Sequence, residues 1–472
     1  MSFNLQQIPD ESKLSHYLDV QVLEQCYPRE VVSDLLTACH AWEKRERKLS
    51  QLLIVYYVIA LSLFRHLNVT AVFAHLSRGL RWLWPDENLS LLTGGALTAR
   101  RQSLGMLVLR RLFRRCCRPL AGPQTKGAFA LGMRLMAVDS TLEDVPDTSA
   151  NVQHFGRLTS GQSQSPFPQV RCLYLAEVGT HAIIDAVLAR CKASEQALAQ
   201  VIVRSIEPGM LVLTDRNFAS LPWLASVQQR GAQALCRLSA GRLTHQVATL
   251  PDGSYLVHVR PAKGQPLLTL RVIEYRLHPQ VAQDLATLPT SRTCDPAKPQ
   301  AVHRLVTSLL DPEQAPALEL ICLYHERWEI ELVIDEMKTH QRLSSRPLRS
   351  QSPELLYQEL YGLLLAHYAV RAWMYQSARQ ANLDPDRLSF THALHVLDTA
   401  CFEFALVAPS DRPRLLQRLL ADLRQPSSLL SPRRLRFCPR VVKRAFSSFH
   451  RKRCWHLSFH FKDSSFRELL LI

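Results

Sequence analysis

The sequence lacks a hydrophobic run long enough to cross a membrane as a helix. Its longest apolar stretch, Leu52 to Phe64, contains 13 residues with Ser62 among them, whereas a membrane-spanning helix needs about 20. The first residues, MSFNLQQIPDESK, include acidic side chains and no apolar core, so no secretory signal is expected there. We therefore expect a soluble cytoplasmic protein in which Leu52 to Phe64 forms a buried helix.

The sequence also lacks any C-x-x-C pair, although it contains 12 cysteines. Only Cys116 and Cys117 stand close together, and this spacing matches neither a zinc site nor a redox motif. Without a secretory signal, the thiols are expected to be reduced and mostly buried. We predict neither a structural zinc nor a disulfide framework.

Acidic residues are too few to balance the basic ones. The chain has 57 Lys and Arg against 41 Asp and Glu, a formal net charge of +16. Such a surplus raises the local concentration of polyanions and favours salt-dependent binding through counterion release. Nucleic acid is the favoured partner, and the alternative is a basic surface that is merely solvated.

Acidic residues are absent from Leu91 to Arg118, where seven arginines occur. This segment closes a region, from residue 11 to about 118, in which apolar residues recur at helical spacing. A basic helix suits the DNA backbone, although an exposed helix face would have the same composition. The arginines predicted to contact DNA are Arg100, Arg101, Arg110 and Arg111.

A proline-rich linker at 119–123 separates this helical region from an α/β region. Short apolar runs and helical segments then follow in the order three strands, helix, strand, helix, strand, with 240–315 as a β-rich insertion. A strongly helical stretch covers 318–340, and another covers 353–379. The predicted strands are 135–138, 170–178, 181–188, 210–213, 234–238, 255–259, 267–275 and 303–310.

Two aspartates follow short apolar runs of this α/β region. Asp139 comes after 135–138, and Asp215 comes after 210–213 and Thr214. Ligands usually bind at the carboxyl ends of strands in α/β proteins, and Mg²⁺ takes one or two carboxylates with phosphate oxygens. The pair is therefore a candidate metal site, although a helix cap or turn would also use aspartate here.

Four polar residues recur along the predicted helix 318–340. Tyr324, Arg327, Glu331 and Lys338 stand at offsets 0, 3, 7 and 14, which at 100° per residue share one helix face. A carboxylate between two cations suits phosphate chemistry, with Glu331 as the metal ligand. Ordinary salt bridges on an exposed helix are the alternative, and Asp335 lies on the same stripe, so helical geometry leaves both acids open.

This spacing, Tyr-x2-Arg-x3-Glu-x6-Lys, resembles the signature of the insertion sequence four family of bacterial transposases. The segment from Asp139 through Asp147 is similar to the surroundings of that family's first catalytic aspartate, and 214–218 is similar to those of the second. The helical N-terminal region is also similar to the family's N-terminal domain. The resemblance extends from about residue 20 to about residue 455.

The resemblance implies a ribonuclease H-like catalytic core of the α/β class, whose triad would be Asp139, Asp215 and Glu331. It favours Glu331 over Asp335 as the third ligand. It further implies two Mg²⁺ ions per active site, replaceable by Mn²⁺. The residues implied to contact the transposon-end backbone are Tyr324, Arg327 and Lys338.

The domain organisation expected from these observations is a core interrupted by an insertion. The segments are a helical N-terminal DNA-binding domain at 1–118, the core at 129–239 and 316–400, the β-rich insertion at 240–315, and a basic C-terminal region at 401–472. The partners expected are double-stranded DNA, as terminal inverted repeats and target, and a second copy of the chain on paired ends. We expect a bacterial, nucleoid-associated protein without membrane contact.

The implied activity is hydrolysis at the transposon end followed by joining of the freed 3′-hydroxyl to target DNA. The alternatives are a nuclease on the same fold that cuts without joining, and a non-catalytic DNA-binding protein derived from a transposase. Studied relatives hold a flipped base with a tryptophan of the insertion, and 240–315 contains none. Tyr255 and Tyr275 are the aromatic residues considered in its place.

Overall fold

The computed structural model describes residues 21–45, 49–77, 93–160, 163–238, 246–277, 302–342, 347–408 and 410–434, and short pieces at 442–443, 450–451, 467 and 470–471. The fold is mixed α/β, with a large sheet and many helices. The predictions for 11–20, for the proline cluster 289–299 and for most of the basic stretch 431–454 lie outside the described residues.

Most of the described helices are α-helices, and the others are four 3₁₀ turns and one π-helical turn. The α-helices are α1 (Gln21–Cys26), α2 (Arg29–Ala38), α3 (Gln51–Leu63), α4 (Val69–Leu76), α5 (Gly94–Leu104), α6 (Leu107–Cys116), α7 (Ser149–Phe155), α8 (Glu195–Ile202), α9 (Leu221–Gln229), α10 (Ala317–His325), α11 (Glu329–Asp335), α12 (Pro353–Gln380), α13 (Phe390–Leu406) and α14 (Arg412–Leu423). The 3₁₀ turns are Val203–Ser205, Glu326–Trp328, Pro385–Arg387 and Pro426–Ser428, and the π turn is Glu336–Gln341.

The strands are listed in chain order. They are β1 (Phe129–Ala130), β2 (Met133–Asp144), β3 (Thr159–Ser160), β4 (Ser163–Gln164), β5 (Gln169–Glu177), β6 (Ile183–Arg190), β7 (Met210–Thr214), β8 (Gln233–Arg237), β9 (Gln246–Thr249), β10 (Tyr255–Val259), β11 (Leu268–Leu277), β12 (His303–Thr307), β13 (Val442–Lys443), β14 (His450–Arg451) and β15 (Leu470–Leu471). Chain contacts divide the protein into two compact units. The first unit is 1–128, 139–205 and 329–431, and the second is 129–138, 206–328 and 432–472.

Several helices begin where a short polar side chain caps the first turn. Each cap accepts a hydrogen bond from a backbone N–H three residues further on, which satisfies a donor that the helix leaves unpaired. These caps are Ser50, Asn68, Thr93, Thr148, Ser194 and Ser389. The residues at which these helices begin are therefore determined by the local sequence.

The core of the first unit is built on α3, the apolar run seen in the sequence. Its residues from Gln51 to Ser62 are all buried, which confirms the predicted buried helix. The helix packs against α12, where Gly362 lies against Val58. In the part of the chain that the structure describes, no helix is both long and apolar enough to span a bilayer.

The first unit also contains the hairpin of β5 and β6. The two strands pair antiparallel from Val170 opposite Arg190 to Ala176 opposite Ile183, which confirms the predicted hairpin. The end of β2 lies beside the start of β5, because Val145 N–H donates to the Pro168 carbonyl at 3.0 Å. The strand order in this unit is β6, β5 and then β2.

The sheet of the second unit starts from the first half of β2. There β2 pairs parallel with β7, and β7 pairs parallel with β8. The strands β12, β11, β10 and β9 follow in that order, each antiparallel to its neighbour. The strands predicted at 210–213, 234–238, 255–259, 267–275 and 303–310 are thus confirmed, with ends that shift by a few residues.

The close approach of α3 and α12 gives a test of this packing. A Cβ on Gly362 would lie 2.7 Å from the Val58 carbonyl oxygen, so Gly362→Ala forces the two helices apart. We expect a loss of about 1–3 kcal/mol in the free energy of unfolding, measured by urea denaturation. The matched control is Gly95→Ala in α5, where a Cβ meets nothing within 4 Å and a gain of about 0.5–1 kcal/mol is expected. Equal effects of the two changes would contradict this packing.

Candidate active site

The two aspartates follow buried segments of neighbouring strands. In the parallel register of β2 and β7, Val138 lies opposite Thr214, and the next residue of each segment is an aspartate. Asp215 follows the end of β7 as predicted. Asp139, in contrast, lies inside β2, which continues to Asp144, so the predicted strand 135–138 was too short. Its neighbour β7 ends opposite Val138.

Both aspartate side chains are half-buried and accept a hydrogen bond from the following backbone N–H. The distance from Ser140 N to Asp139 Oδ1 is 2.7 Å, and that from Arg216 N to Asp215 Oδ1 is 2.6 Å. These bonds orient each carboxylate relative to its own strand. Oxygen ligands with partial access to solvent are what a hard divalent cation requires.

The segment with the four polar residues is not the regular helix that the sequence predicted. It consists of α10, the 3₁₀ turn Glu326–Trp328, α11 and the π turn Glu336–Gln341. A 3₁₀ turn has 3.0 residues and a π turn is wider than an α turn, so a constant 100° per residue does not apply. The prediction of one regular α-helix over this segment was therefore wrong.

Tyr324 and Arg327 belong to the second unit, together with Asp215. The Tyr324 side chain is buried, and its hydroxyl donates to the carbonyl of Thr214 at 3.2 Å. Burial raises the pKa of Tyr324 well above its usual value, so the hydroxyl keeps its proton. Arg327 is also buried, and its guanidinium lies 5.0 Å from the centre of the half-exposed Trp328 ring. Tyr324 thus anchors the strand end that carries Asp215.

Glu331 and Lys338 belong to the first unit, together with Asp139. Glu331 is half-buried on α11. Lys338 donates from Nζ to Thr141 Oγ1 at 2.8 Å and to the Leu142 carbonyl at 2.7 Å, and burial lowers its pKa. Because Thr141 stands two residues after Asp139, Lys338 ties the helical segment of Glu331 to the strand of Asp139.

A buried ion pair strengthens this connection. Arg342, just beyond the π turn, bonds to Glu143 of β2, and both side chains are at most 5% exposed. Lys338 Nζ is a further 3.7 Å from Glu143 Oε1. Burial lowers the pKa of Arg342 to about 10, which leaves it cationic at neutral pH. The strand and the helical segment are therefore joined at two successive places.

Asp335, the alternative third ligand, is held differently from Glu331. It is exposed, it accepts a hydrogen bond from Thr339 Oγ1 at 2.6 Å, and it lies 3.4 Å from His340 Nε2. These partners are on its own helical segment. Nothing in these contacts links Asp335 to the strand of Asp139.

The sequence did not predict a buried polar cluster that also contacts this helical segment. Three of its members, His181, Glu329 and Asp386, offer ligand atoms within 4.8 Å of one another and could hold a cation. His181 stands 148 residues before Glu329, the nearest other member in the sequence, and no motif joins the members. The only feature of the sequence that points to this cluster is that two acids, Glu329 and Glu336, flank the predicted metal ligand Glu331. The full cluster consists of His181, Glu329, Glu336, His367, Arg371 and Asp386.

The arginines predicted to contact DNA differ in their access to solvent. Arg101 is 5% exposed and donates to Ser350 Oγ and to the Leu355 carbonyl, both at 3.3 Å. Its guanidinium joins two segments inside the first unit, and its contact with DNA stays a prediction. Arg100 is half-buried and donates to the Leu49 carbonyl at 2.8 Å. Arg110 is half-buried, and Arg111 is exposed and donates to the Ala38 carbonyl at 3.1 Å.

Two regions of the chain match known transposase families. Residues 17–114 match the family described as insertion element 4 transposase N-terminal, and residues 130–368 match the transposase DDE domain. The chain is 29% identical over 437 residues to the transposase InsG for insertion sequence element IS4 of Escherichia coli strain K12, a match that covers 92% of each chain.

Two further similarities are more distant. The chain is 24% identical over 216 residues to the putative transposase InsZ of the same organism, which covers 45% of this chain and 68% of that protein. A solved synaptic complex of piggyBac transposase with hairpin DNA matches 87% of this chain and 86% of its own. That similarity has 12% identity and a TM-score of 0.44.

The ion pair between Glu143 and Arg342 gives a stability test of the connection described above. Glu143→Gln would leave a buried guanidinium without its carboxylate, so we expect a loss of about 3–5 kcal/mol in the free energy of unfolding. The control is Asp34→Asn, which removes an exposed pair with Arg115 at 3.3 Å and should cost less than about 1 kcal/mol. Urea denaturation of both variants measures the difference, and a loss below about 1 kcal/mol for Glu143→Gln would refute the connection.

Proposed function

The chain belongs to the insertion element 4 family of DDE-domain transposases, which are metal-dependent DNA-processing enzymes, and from this membership we propose that it cuts DNA at the ends of its element and joins them to a target. The observation that carries the proposal is the parallel register of β2 and β7. It sets Val138 opposite Thr214, directly before Asp139 and Asp215. The signature segment then supplies Glu331 and contacts to both strands.

The fold supports a ribonuclease H-like core as part of this proposal. Strands β2, β5, β6, β7 and β8 with the helices between them would form the core, and β9 to β12 the β-rich insertion. The proposed segments keep their predicted bounds. These are the N-terminal DNA-binding domain at 1–118, the core at 129–239 and 316–400, the insertion at 240–315, and the C-terminal region at 401–472.

Three carboxylates would hold the catalytic metal in this proposal. Asp139, Asp215 and Glu331 are all half-buried, and their hard oxygen atoms suit Mg²⁺ or Mn²⁺. Other carboxylates, Glu143 and Glu336, are buried more deeply and are bonded to arginines. When bound, a pair of such ions supplies the charge that activates the attacking oxygen and stabilises the leaving one.

The residues of the signature would position these carboxylates and the DNA. Tyr324 holds the strand end before Asp215, and Lys338 holds the helical segment of Glu331 against β2. We further propose that Tyr324, Arg327 and Lys338 contact the backbone of the transposon end. The Lys338 side chain is 33% exposed, so its ammonium has the readiest access to a phosphate.

Two in-line phosphoryl transfers would complete the reaction. Water attacks the phosphodiester at the element end and releases a 3′-hydroxyl, which then attacks a phosphodiester of the target and displaces its 3′-oxygen. Positioning of the two oxygens supplies most of the catalysis in such transfers. Since two ends must be joined, we propose a homodimer on paired terminal inverted repeats.

Neutral replacements of the three carboxylates test the proposed site. Asp139→Asn, Asp215→Asn and Glu331→Gln should each lower the cleavage rate by more than about 100-fold. This loss would exceed the loss of activity that usually follows when a residue that only orients a metal ligand is removed. Binding to the terminal repeat should stay nearly unchanged, because the basic contacts are kept. The assay follows cleavage and joining of a linear DNA that ends in the element's repeat, with target plasmid and Mg²⁺ or EDTA.

The matched control for this test is Asp335→Asn, which removes the alternative acid from the same helical segment. It should cut at close to the wild-type rate. If Asp335→Asn loses cleavage activity and Glu331→Gln keeps it, the third metal ligand would be Asp335 and not Glu331. Cleavage that is never followed by joining would indicate a nuclease, and binding without cleavage under any divalent ion would indicate a non-catalytic DNA-binding protein.

The exposed part of the N-terminal basic region predicts a salt-dependent contribution to end binding. The double change Arg110→Ala with Arg111→Ala should weaken binding and reduce the slope of log affinity against log salt by about 1 for each lost phosphate contact. The control is Lys192→Ala, an exposed cation after β6 that should leave the slope unchanged. Fluorescence anisotropy at several salt concentrations measures both, and identical slopes would exclude this helix from the interface.

A further inference from the structure

A buried network of charged and polar side chains supports the helical segment that carries Glu331. His181 is fully buried, and its Nε2 lies 2.7 Å from Glu329 Oε2 while its Nδ1 lies 3.0 Å from Glu336 Oε1. Glu329 stands two residues before Glu331, and Glu336 stands five residues after it. One imidazole therefore contacts the segment on both sides of the proposed metal ligand.

The long helix α12 supplies the other half of the network. Arg371 donates from Nε to Glu336 Oε2 at 2.9 Å and from Nη2 to Glu336 Oε1, which makes the contact bidentate. His367 Nε2 lies 3.0 Å from Glu336 Oε2. Burial lowers the pKa of His367 to about 3, so at neutral pH this imidazole is uncharged and donates to the carboxylate. Glu336 thus accepts hydrogen bonds from two side chains of α12 and lies beside the His181 ring.

The turn that carries His181 is itself held in place. His181 has a φ of +60°, a conformation that is uncommon outside glycine and persists where the surroundings fix it. The neighbouring Gly179 lies so close to Ala128 that a Cβ would meet its backbone at 2.6 Å. On the other side, Glu177 accepts hydrogen bonds from the N–H groups of Leu120 and Ala121 at 3.0 and 2.9 Å. His181 therefore projects from a turn with little freedom to shift.

The contacts favour a hydrogen-bonded network over a second cation site. The distance of 2.7 Å between His181 Nε2 and Glu329 Oε2 is that of a hydrogen bond. Arg371 Nη2 lies 2.5 Å from His181 Nδ1, so a permanent positive charge already stands inside the cluster. Buried ion pairs add little net stability compared with apolar packing. They do favour one defined arrangement of the side chains, namely the one in which every polar group has a hydrogen-bond partner.

We propose that His181, Glu336 and Arg371 are positioning residues that set the orientation in which Glu331 binds the catalytic metal. This inference rests on the proposed role of Glu331. It assigns to the β5–β6 turn and to α12 a part in metal affinity, although neither contributes a ligand. Outer partners that orient a metal ligand typically change metal affinity or activity by 10–100-fold when they are removed.

The test compares metal dependence among variants of the full chain. Glu336→Gln removes the charge at the centre of the network, and Arg371→Lys is a milder change that keeps the positive charge and loses the bidentate contact. The matched control is Glu359→Gln on the same helix, whose buried carboxylate pairs with Arg65 and accepts the N–H groups of Arg349 and Ser350. Cleavage of the terminal-repeat DNA is measured against Mg²⁺ concentration, with end binding and thermal melting measured in parallel.

We expect the Mg²⁺ concentration for half-maximal cleavage to rise at least about tenfold in Glu336→Gln and Arg371→Lys. End binding should stay within about twofold of wild type, and saturating Mg²⁺ should restore most of the maximal rate in Arg371→Lys. Glu359→Gln should lower the melting temperature by a similar amount and keep the wild-type metal dependence, because its carboxylate lies outside the network.

The proposal is overturned if both network variants keep the wild-type Mg²⁺ dependence, or if Glu359→Gln shifts it equally. In the second case loss of stability alone would explain the shift. Should Arg371→Lys be the only network variant that folds, its metal dependence decides the question. A wild-type chain that cuts at no metal concentration would instead refute the proposed function, and this inference with it.

Discussion

The parallel pairing of β2 with β7 is the constraint on which the candidate site depends. Both strands are buried where they pair, from Leu135 to Val138 in one and throughout the other, and all these residues except Thr214 are apolar. Because both faces of these segments are packed, a slip of one residue would move every side chain into a space shaped for its neighbour. The packing cost of such a slip favours this register, and the register places an aspartate directly after each member of the pair Val138 and Thr214.

Carboxylates of different function also need different surroundings in this protein. A carboxylate that is fully buried needs a cation or several donors, and Glu143, Glu336 and Glu359 have such partners in Arg342, Arg371 and Arg65. The three proposed metal ligands lie nearer to solvent. Burial therefore separates acids that hold the fold together from the acids that we propose as metal ligands. The distinction explains why the many acidic residues near the signature do not have interchangeable roles.

The parts of the fold that the sequence could predict are those decided by local patterns. The apolar run of α3, the hairpin of β5 and β6 and the short strands around Asp139 and Asp215 depend on periodicity and turns within a few residues, and they were found near their predicted positions. The sequence did not predict where a longer helix departs from regular α-helical geometry. The helix predicted at 318–340 contains a 3₁₀ turn and a π turn, and its residues Glu329 and Glu336 contact His181 of a distant segment. The partners of the Arg101 guanidinium could not be predicted either, since they lie about 250 residues away.

The spacing of the signature can be understood as two anchors on one short piece of chain. Tyr324 is bonded to the strand end before Asp215, and Lys338 is bonded to β2 just after Asp139. Glu331 lies between these anchors, in the α-helical turns that follow the 3₁₀ turn. An added or missing residue between the anchors would rotate Glu331 by about 100° in its helix while both anchors stayed bonded. A fixed number of residues between the aromatic, the acid and the lysine is therefore a geometric requirement on the carboxylate. It holds whether or not the anchoring side chains also reach the DNA.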